Sequence, residues 1–221
     1  MNKQFGNDDP RMADYIARVY QPEDDLLREV RTRVAAAGMP GIHVAALDGR
    51  HLEVLARACG ARRAVEVGTL GGYSGICLLR GMQPDGVLHT IEIDPHHADV
   101  AAETFRRAGV PVGKRVHIHL GAGKDVLPTL DPHGPFDLVF IDADKENYPV
   151  YLGWAAKNLR SGGIVLGDNS FLFGHLPDEP KGEDAAAIKA MRAFHDTLAN
   201  SGLFRSTVIP TGEGLALGVR V

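Results

Sequence analysis

The stretch Ala64-Val65-Glu66-Val67-Gly68-Thr69-Leu70-Gly71-Gly72-Tyr73-Ser74-Gly75 decides the architecture. A short valine-rich run stops in glycines, and a helix-like stretch over residues 74–82 follows at once. Valine favours the pleated strand, and glycine permits the sharp turn out of it. A strand turning directly into a helix is the opening unit of an open α/β sheet.

Downstream the unit repeats. Apolar runs at 87–93, 116–120, 136–141 and 163–166 alternate with helix-like stretches at 95–108, 124–130 and 147–159. Strands separated by helices of that length predict a parallel sheet covered on both faces. A further helix at 184–199 precedes two strands, 204–209 and 215–221. Only Pro210-Thr211-Gly212-Glu213-Gly214 lies between them. Five residues cannot carry a crossover helix, so these two strands are expected to be antiparallel neighbours. Upstream, Pro22-Glu23-Asp24-Asp25 opens a helix with Leu26, Leu27, Val30 and Val34 at helical spacing, and Gly38-Met39-Pro40-Gly41 stops it. A second helix is expected from Asp48 to about Ala58. The fold class is therefore α/β, a doubly wound sheet ending in an antiparallel hairpin. It is expected as one domain over residues 1–221, with a helical segment at about 1–60.

Composition narrows the partners. The chain of 221 residues carries a formal net charge of -4, and its pI is near 6.2; this gives nucleic acid or an anionic membrane little to hold. No apolar run approaches the roughly 20 residues of a membrane span. Residues 1–10 are polar with no apolar signal core. Two cysteines, Cys59 and Cys77, make neither a disulfide framework nor a thiolate cluster. A cytoplasmic location is the expectation.

In sheets of this type the ligand lies at the carboxyl ends of the strands, where strand order reverses. The glycine turn does not keep the G-x-G-x-x-G spacing of a dinucleotide site. Glu66 stands two residues before the first glycine and would repel a pyrophosphate, whereas a cationic or zwitterionic ligand would be attracted. Glu92 follows 26 residues later, at a strand end, where a carboxylate accepts hydrogen bonds from ribose hydroxyls. The pair points to adenosine carrying an amino-acid tail. Strand-end acids and glycine turns also occur without any nucleotide, so each feature alone decides nothing.

More specific is Phe140-Ile141-Asp142-Ala143-Asp144-Lys145-Glu146-Asn147-Tyr148, together with Leu166-Gly167-Asp168-Asn169 on the next run. If the two strands are adjacent, Asp142, Asp168 and Asn169 converge. Two carboxylates and an amide oxygen form a hard donor set suited to Mg²⁺, with Mn²⁺ or Ca²⁺ as alternatives. The competing structural reading is that both aspartates merely cap loops. Lys145 could take a proton from a hydroxyl held there or hold the resulting anion.

These motifs, with the closing Gly212-Glu213-Gly214-Leu215, resemble the cation-dependent class I O-methyltransferases, the group of caffeoyl-CoA and catechol O-methyltransferases. The resemblance runs from about Ile42 to Val221. It implies a Rossmann-like methyltransferase sheet of seven strands and S-adenosylmethionine-dependent, divalent-metal-dependent transfer to a catechol-like hydroxyl. It implies cofactor contacts from Glu66, Gly68, Ser74, Glu92, Ala122, Asp144 and Tyr151. Metal ligation falls to Asp142, Asp168 and Asn169, and a catalytic role to Lys145 with Asp142. A phenolic small-molecule substrate and a homodimer are further implications. The chain departs from the family at 42–49 and in the loop 170–182, where Phe171, Leu172, Phe173 and His175 do not match a CoA thioester site. His117 and His119 are expected to share one strand face, His96-His97 to be surface, His175 to be at most a minor substrate contact, Trp154 to be core or dimer interface rather than a substrate platform, and Tyr148 to pack, with lining the pocket as the alternative. A nucleotide-dependent oxidoreductase lacks its phosphate cradle here, and a mere adenosine-binding module has no use for the acidic corner.

Overall fold

The structure is a computed structural model describing residues 9–221, so the polar segment read at 1–10 lies almost wholly outside the described residues. Helices α1 (Pro10–Tyr20), α2 (Asp25–Ala36) and α3 (Ala46–Ala58) precede the sheet. The strands are β1 (Arg63–Val67), β2 (Val87–Glu92), β3 (Val116–Leu120), β4 (Phe136–Ile141), β5 (Leu159–Gly167), β6 (Phe204–Ile209) and β7 (Leu215–Arg220). Helices α4 (Tyr73–Gly81), α5 (Pro95–Arg107), α6 (Gly123–Val126), α7 (Tyr148–Asn158) and α8 (Ala185–Asn200) connect them. The sheet runs β3-β2-β1-β4-β5-β7-β6. β1 to β5 are parallel, and β7 is antiparallel to both neighbours. The seven strands and the closing hairpin match the expectation.

Strand order reverses between β1 and β4, which pair Val67 with Ile141. Apart from Arg63 and Glu66 in β1 and Asp137 in β4, both strands are apolar on both faces because helices cover both. Leu138 and Phe140 face the layer of α2 to α5, and Val139 and Ile141 face α7 and α8. α2 begins where the acids predicted it: the Asp24 carboxylate accepts from the Leu27 amide at 3.1 Å.

Two boundaries differ from the sequence reading by more than two residues. The helix expected at 124–130 is a single α turn, α6, followed by a 3-10 segment, Leu127–His133. Pro128 and Pro132 lack the amide hydrogens that a continuing α-helix needs. β5 starts four residues earlier than read, because Leu159 pairs with Phe136 before a register shift leads to the Leu138–Ile164 pair. Glycines 162 and 163 hid this start, as glycine weakens a strand pattern.

Glu66 belongs to this frame. It is fully buried in β1 and accepts from the Thr90 hydroxyl at 2.6 Å. Its other oxygen has no partner. Burial pushes its pKa up to about 7 from an ordinary 4.5. Gly68, just past β1, has φ +100°, and a Cβ there would lie 1.9 Å from the Asp142 carbonyl oxygen.

Gly68→Ala should therefore cost at least about 3 kcal/mol or abolish folding, since strain and backbone overlap add. Gly153→Ala, inside α7 with nothing within 4 Å of the new methyl, should instead gain about 0.5–1 kcal/mol. Urea unfolding checks both. The folded Glu66 keeps a proton that the unfolded chain releases, so its contribution to stability falls as pH rises from about 4.5 to about 7. Glu66→Gln should flatten that fall in urea melts across the window; an unchanged slope would place the titration elsewhere.

Candidate active site

A cavity of about 930 Å³ opens at the carboxyl ends of β1, β2 and β4. Its floor is the glycine turn after β1. The Asp142 amide donates to the Val67 carbonyl at 2.8 Å, and the Asp168 amide to the Ile141 carbonyl at 3.0 Å. The ladder thus continues one residue past each strand, and the two aspartates arrive side by side. Of the residues read from sequence, Gly68, Ser74, Glu92, Ala122, Asp142, Asp144, Lys145, Tyr151 and Asn169 line the cavity. Glu66 and Asp168 do not: Glu66 lies beneath the turn, and Asp168 is buried at the edge of the sheet.

One half of the cavity is built to receive hydrogen-bond donors. Glu92 Oε2 accepts from the Leu70 amide at 2.8 Å, and Oε1 from the amides of Ile93 and Asp94 at 2.9 and 3.0 Å. These three bonds fix the carboxylate and leave Oε2 with a lone pair for a ligand hydroxyl. Tyr151 donates to Asp144 at 2.6 Å, and the Asn147 amide holds the second Asp144 oxygen. Gly123 sits where a Cβ would lie 2.7 Å from Val67 and 2.9 Å from Tyr151, so the start of α6 packs directly against both.

The other half is acidic. Burial raises the pKa of Asp142, opposed by Lys145. It pushes Asp168 up to about 7, with the charge of Asp142 adding to the shift. Asp168 Oδ1 is buried without a partner. Asn169 follows in a left-handed conformation, φ 48°, which a non-glycine residue adopts at some cost. An orphaned carboxylate oxygen, a second carboxylate and an amide oxygen fit a hard divalent cation. Among the described residues, no group of three or more His, Cys, Asp or Glu could hold a metal ion, so a site here needs Asn169. Lys145 Nζ stands 3.6 Å from Asp142 Oδ1, and burial lowers its pKa.

Several lining residues were not anticipated. Tyr73 donates to Glu23 at 2.8 Å, and the Arg31 guanidinium lies 4.3 Å over its ring. Arg31 also binds Glu23 at 2.6 Å and the Val44 carbonyl at 2.9 Å. This knot lays Ile42, His43 and Val44 across the cavity, a long-range arrangement that no local pattern announces. Glu213 arrives from the hairpin loop, where the Phe171 amide donates to its carbonyl at 3.0 Å and the Ser170 amide to that of Gly214 at 2.9 Å. Phe173 lines the mouth, exposed and with φ 53°. His97, read as surface, reaches the rim at 3.6 Å from Glu92. Tyr148 is a packing residue only in part, since its hydroxyl accepts from Lys145. His117 and His119 do share a face, stacked with His89 at 5.1 and 5.2 Å away from the cavity. His175 is exposed and pairs with Asp178 at 2.8 Å outside the lining. Trp154 is buried against Phe136 and donates to Asp131 at 2.7 Å.

Comparison with known proteins agrees with this geometry. A catechol O-methyltransferase of Mycobacterium tuberculosis is 41% identical over 201 residues, 89% of either chain. The crystal structure of an O-methyltransferase from Bacillus cereus in complex with SAH superposes with a TM-score of 0.88 at 34% identity, covering 96% of this chain and 97% of that one. An O-methyltransferase from Streptomyces achromogenes involved in tomaymycin synthesis, in complex with SAM, gives 0.86 at 37% identity, covering 98% and 100%. The O-methyltransferase family model matches residues 17–221. That span takes in all seven strands and every residue of the cavity, and the chain belongs to the O-methyltransferase family.

Proposed function

We propose that this chain transfers a methyl group from S-adenosylmethionine to one hydroxyl of a vicinal dihydroxy aromatic, with a divalent cation, Mg²⁺ foremost, held by Asp142, Asp168 and Asn169. The observation that carries the reading is the pair of adjacent carboxylates, Asp168 buried with an unpartnered oxygen and Asp142 half-buried, beside a partly buried lysine. When bound, the cation would supply a Lewis acid that lowers the pKa of the acceptor's hydroxyls, and S-adenosylmethionine would supply the methyl. Glu92 accepts a ribose hydroxyl at Oε2. Asp144 and Tyr151, tied to each other, hold the adenosine end, and Gly68 and Ala122 let it lie against backbone. Lys145, its pKa lowered by burial, takes the acceptor's proton at Nζ. The catechol O-methyltransferase name of the M. tuberculosis relative supports the acceptor class.

The lining is largely apolar on the side of Ile42, Val44 and Phe173, which excludes water while phenolate and sulfonium neutralise each other. Phe173, exposed at the mouth, offers an aromatic face to an aromatic acceptor.

The working unit is a homodimer in this reading. α1 buries none of its own residues and leaves Met12, Tyr15, Val19 and Tyr20 exposed, an apolar face that a second copy would cover. The two cysteines are free, in keeping with a reducing cytoplasm. No helix among the described residues is long and apolar enough to cross a membrane.

Turnover of pyrocatechol with S-adenosylmethionine should vanish with chelator and return with Mg²⁺. Asp168→Ala should lower it about a hundredfold or more while S-adenosylmethionine still raises the melting temperature; chelator-insensitive turnover would discard the cation. Glu92→Ala should weaken S-adenosylmethionine binding about tenfold, ~1.4 kcal/mol, by calorimetry. An unchanged dissociation constant would put the ribose elsewhere.

A further inference from the structure

Beneath the reacting corner lies a hydroxyl with an unusual set of partners. Tyr148 is fully buried, its ring edge-on to Phe194 at 5.4 Å. Its hydroxyl lies 3.1 Å from the Ile141 carbonyl and 3.0 Å from the Asp168 carbonyl. One hydroxyl proton serves those two acceptors, so the oxygen keeps its lone pairs for another donor. That donor is Lys145, whose Nζ is 2.6 Å away and 4.5 Å from the ring centroid. A second ammonium hydrogen faces the Asp168 carbonyl at 3.5 Å.

Lysine is a compact charge on a flexible stem. Beside a half-buried carboxylate its default is direct contact at about 2.8 Å, yet Nζ stops 3.6 Å from Asp142 Oδ1. The carbonyls that hold the Tyr148 hydroxyl belong to Ile141, the last residue of β4, and to Asp168, the first after β5. The sheet itself therefore sets where the ammonium can sit.

We propose that Tyr148 is a positioning residue, whose hydroxyl holds the Lys145 ammonium off the Asp142 carboxylate and leaves its third N–H position, which becomes the accepting lone pair once that proton has gone to water, directed at the acceptor hydroxyl. This rests on the reading above that Lys145 handles the acceptor's proton. Without the hydroxyl, Lys145 collapses onto Asp142, losing its aim and occupying a carboxylate oxygen that the cation needs.

Tyr148→Phe removes only that oxygen and keeps the packed ring. With S-adenosylmethionine, pyrocatechol and Mg²⁺, it should lower kcat about tenfold while KM for S-adenosylmethionine stays within about twofold. In a Lys145→Ala background the same substitution should change kcat by less than about twofold, because there is no ammonium left to position. Equal losses in both backgrounds, or none in the first, would overturn the proposal. Should Lys145→Ala turn over normally, or the enzyme not turn over pyrocatechol, the catalytic reading fails instead. The anchoring is then decided by competitive acetylation of Lys145, read by peptide mass spectrometry. Acetylation several-fold faster in Tyr148→Phe upholds the anchor, and equal rates overturn it. If the variant does not fold, the unsubstituted protein serves. The ¹⁵N signal of the Lys145 ammonium should be visible, as a hydrogen-bonded group exchanges slowly, and its absence would overturn the proposal.

Discussion

The hydrogen bond from the Asp142 amide to the Val67 carbonyl, 2.8 Å long, is the joint on which the molecule turns. It closes the β1–β4 pairing at the place where strand order reverses, and it brings the Asp142 carbonyl so near Gly68 that no side chain fits between. The glycine turn and the acidic corner are thereby two sides of one contact. A donor group lying on the turn and an acceptor group at the corner must be neighbours, because the strands that carry them are hydrogen-bonded to one another. In-line transfer requires that proximity, and backbone pairing supplies it before any ligand arrives.

Charge explains much of the remainder. Glu66, Asp142 and Asp168 are carboxyls drawn out of water, each with its pKa raised by burial. The described structure answers them with one nearby ammonium, that of Lys145, which is itself shifted toward neutrality. A sulfonium on one side and a divalent ion on the other would restore balance. Stability is spent in advance on a pocket that favours cations.

The sheet was legible because valine runs and glycine stops repeat at regular intervals, and the hairpin because five residues permit no crossover. The acidic corner is legible because β4 and β5 are each followed at once by an aspartate, and adjacency does the rest. Less legible was whatever depended on burial or distance. Glu66 was read as a ligand contact, and it lies beneath the turn holding Thr90. Tyr148 was read as packing, although its hydroxyl meets Lys145 only after α7 has begun. The knot of Glu23, Arg31 and Tyr73 joins residues up to 50 positions apart, and sequence periodicity carries no trace of such a meeting. Pro128, inside the helix expected at 124–130, is the local signal that the α-helix gives way there to a 3-10 segment.

The hairpin loop is stitched to the residues after β5 by two backbone bonds, Ser170 to Gly214 and Phe171 to Glu213. Main-chain stitching is indifferent to side chains. The mouth of the cavity at Phe173 and Glu213 can thus change its chemistry residue by residue while its backbone stays docked, and the cofactor half, assembled from β1, β2 and α6, is untouched by such changes. The arrangement divides the fold into a fixed engine and an interchangeable nozzle, so new acceptors can be explored by mutation without rebuilding the means of transfer.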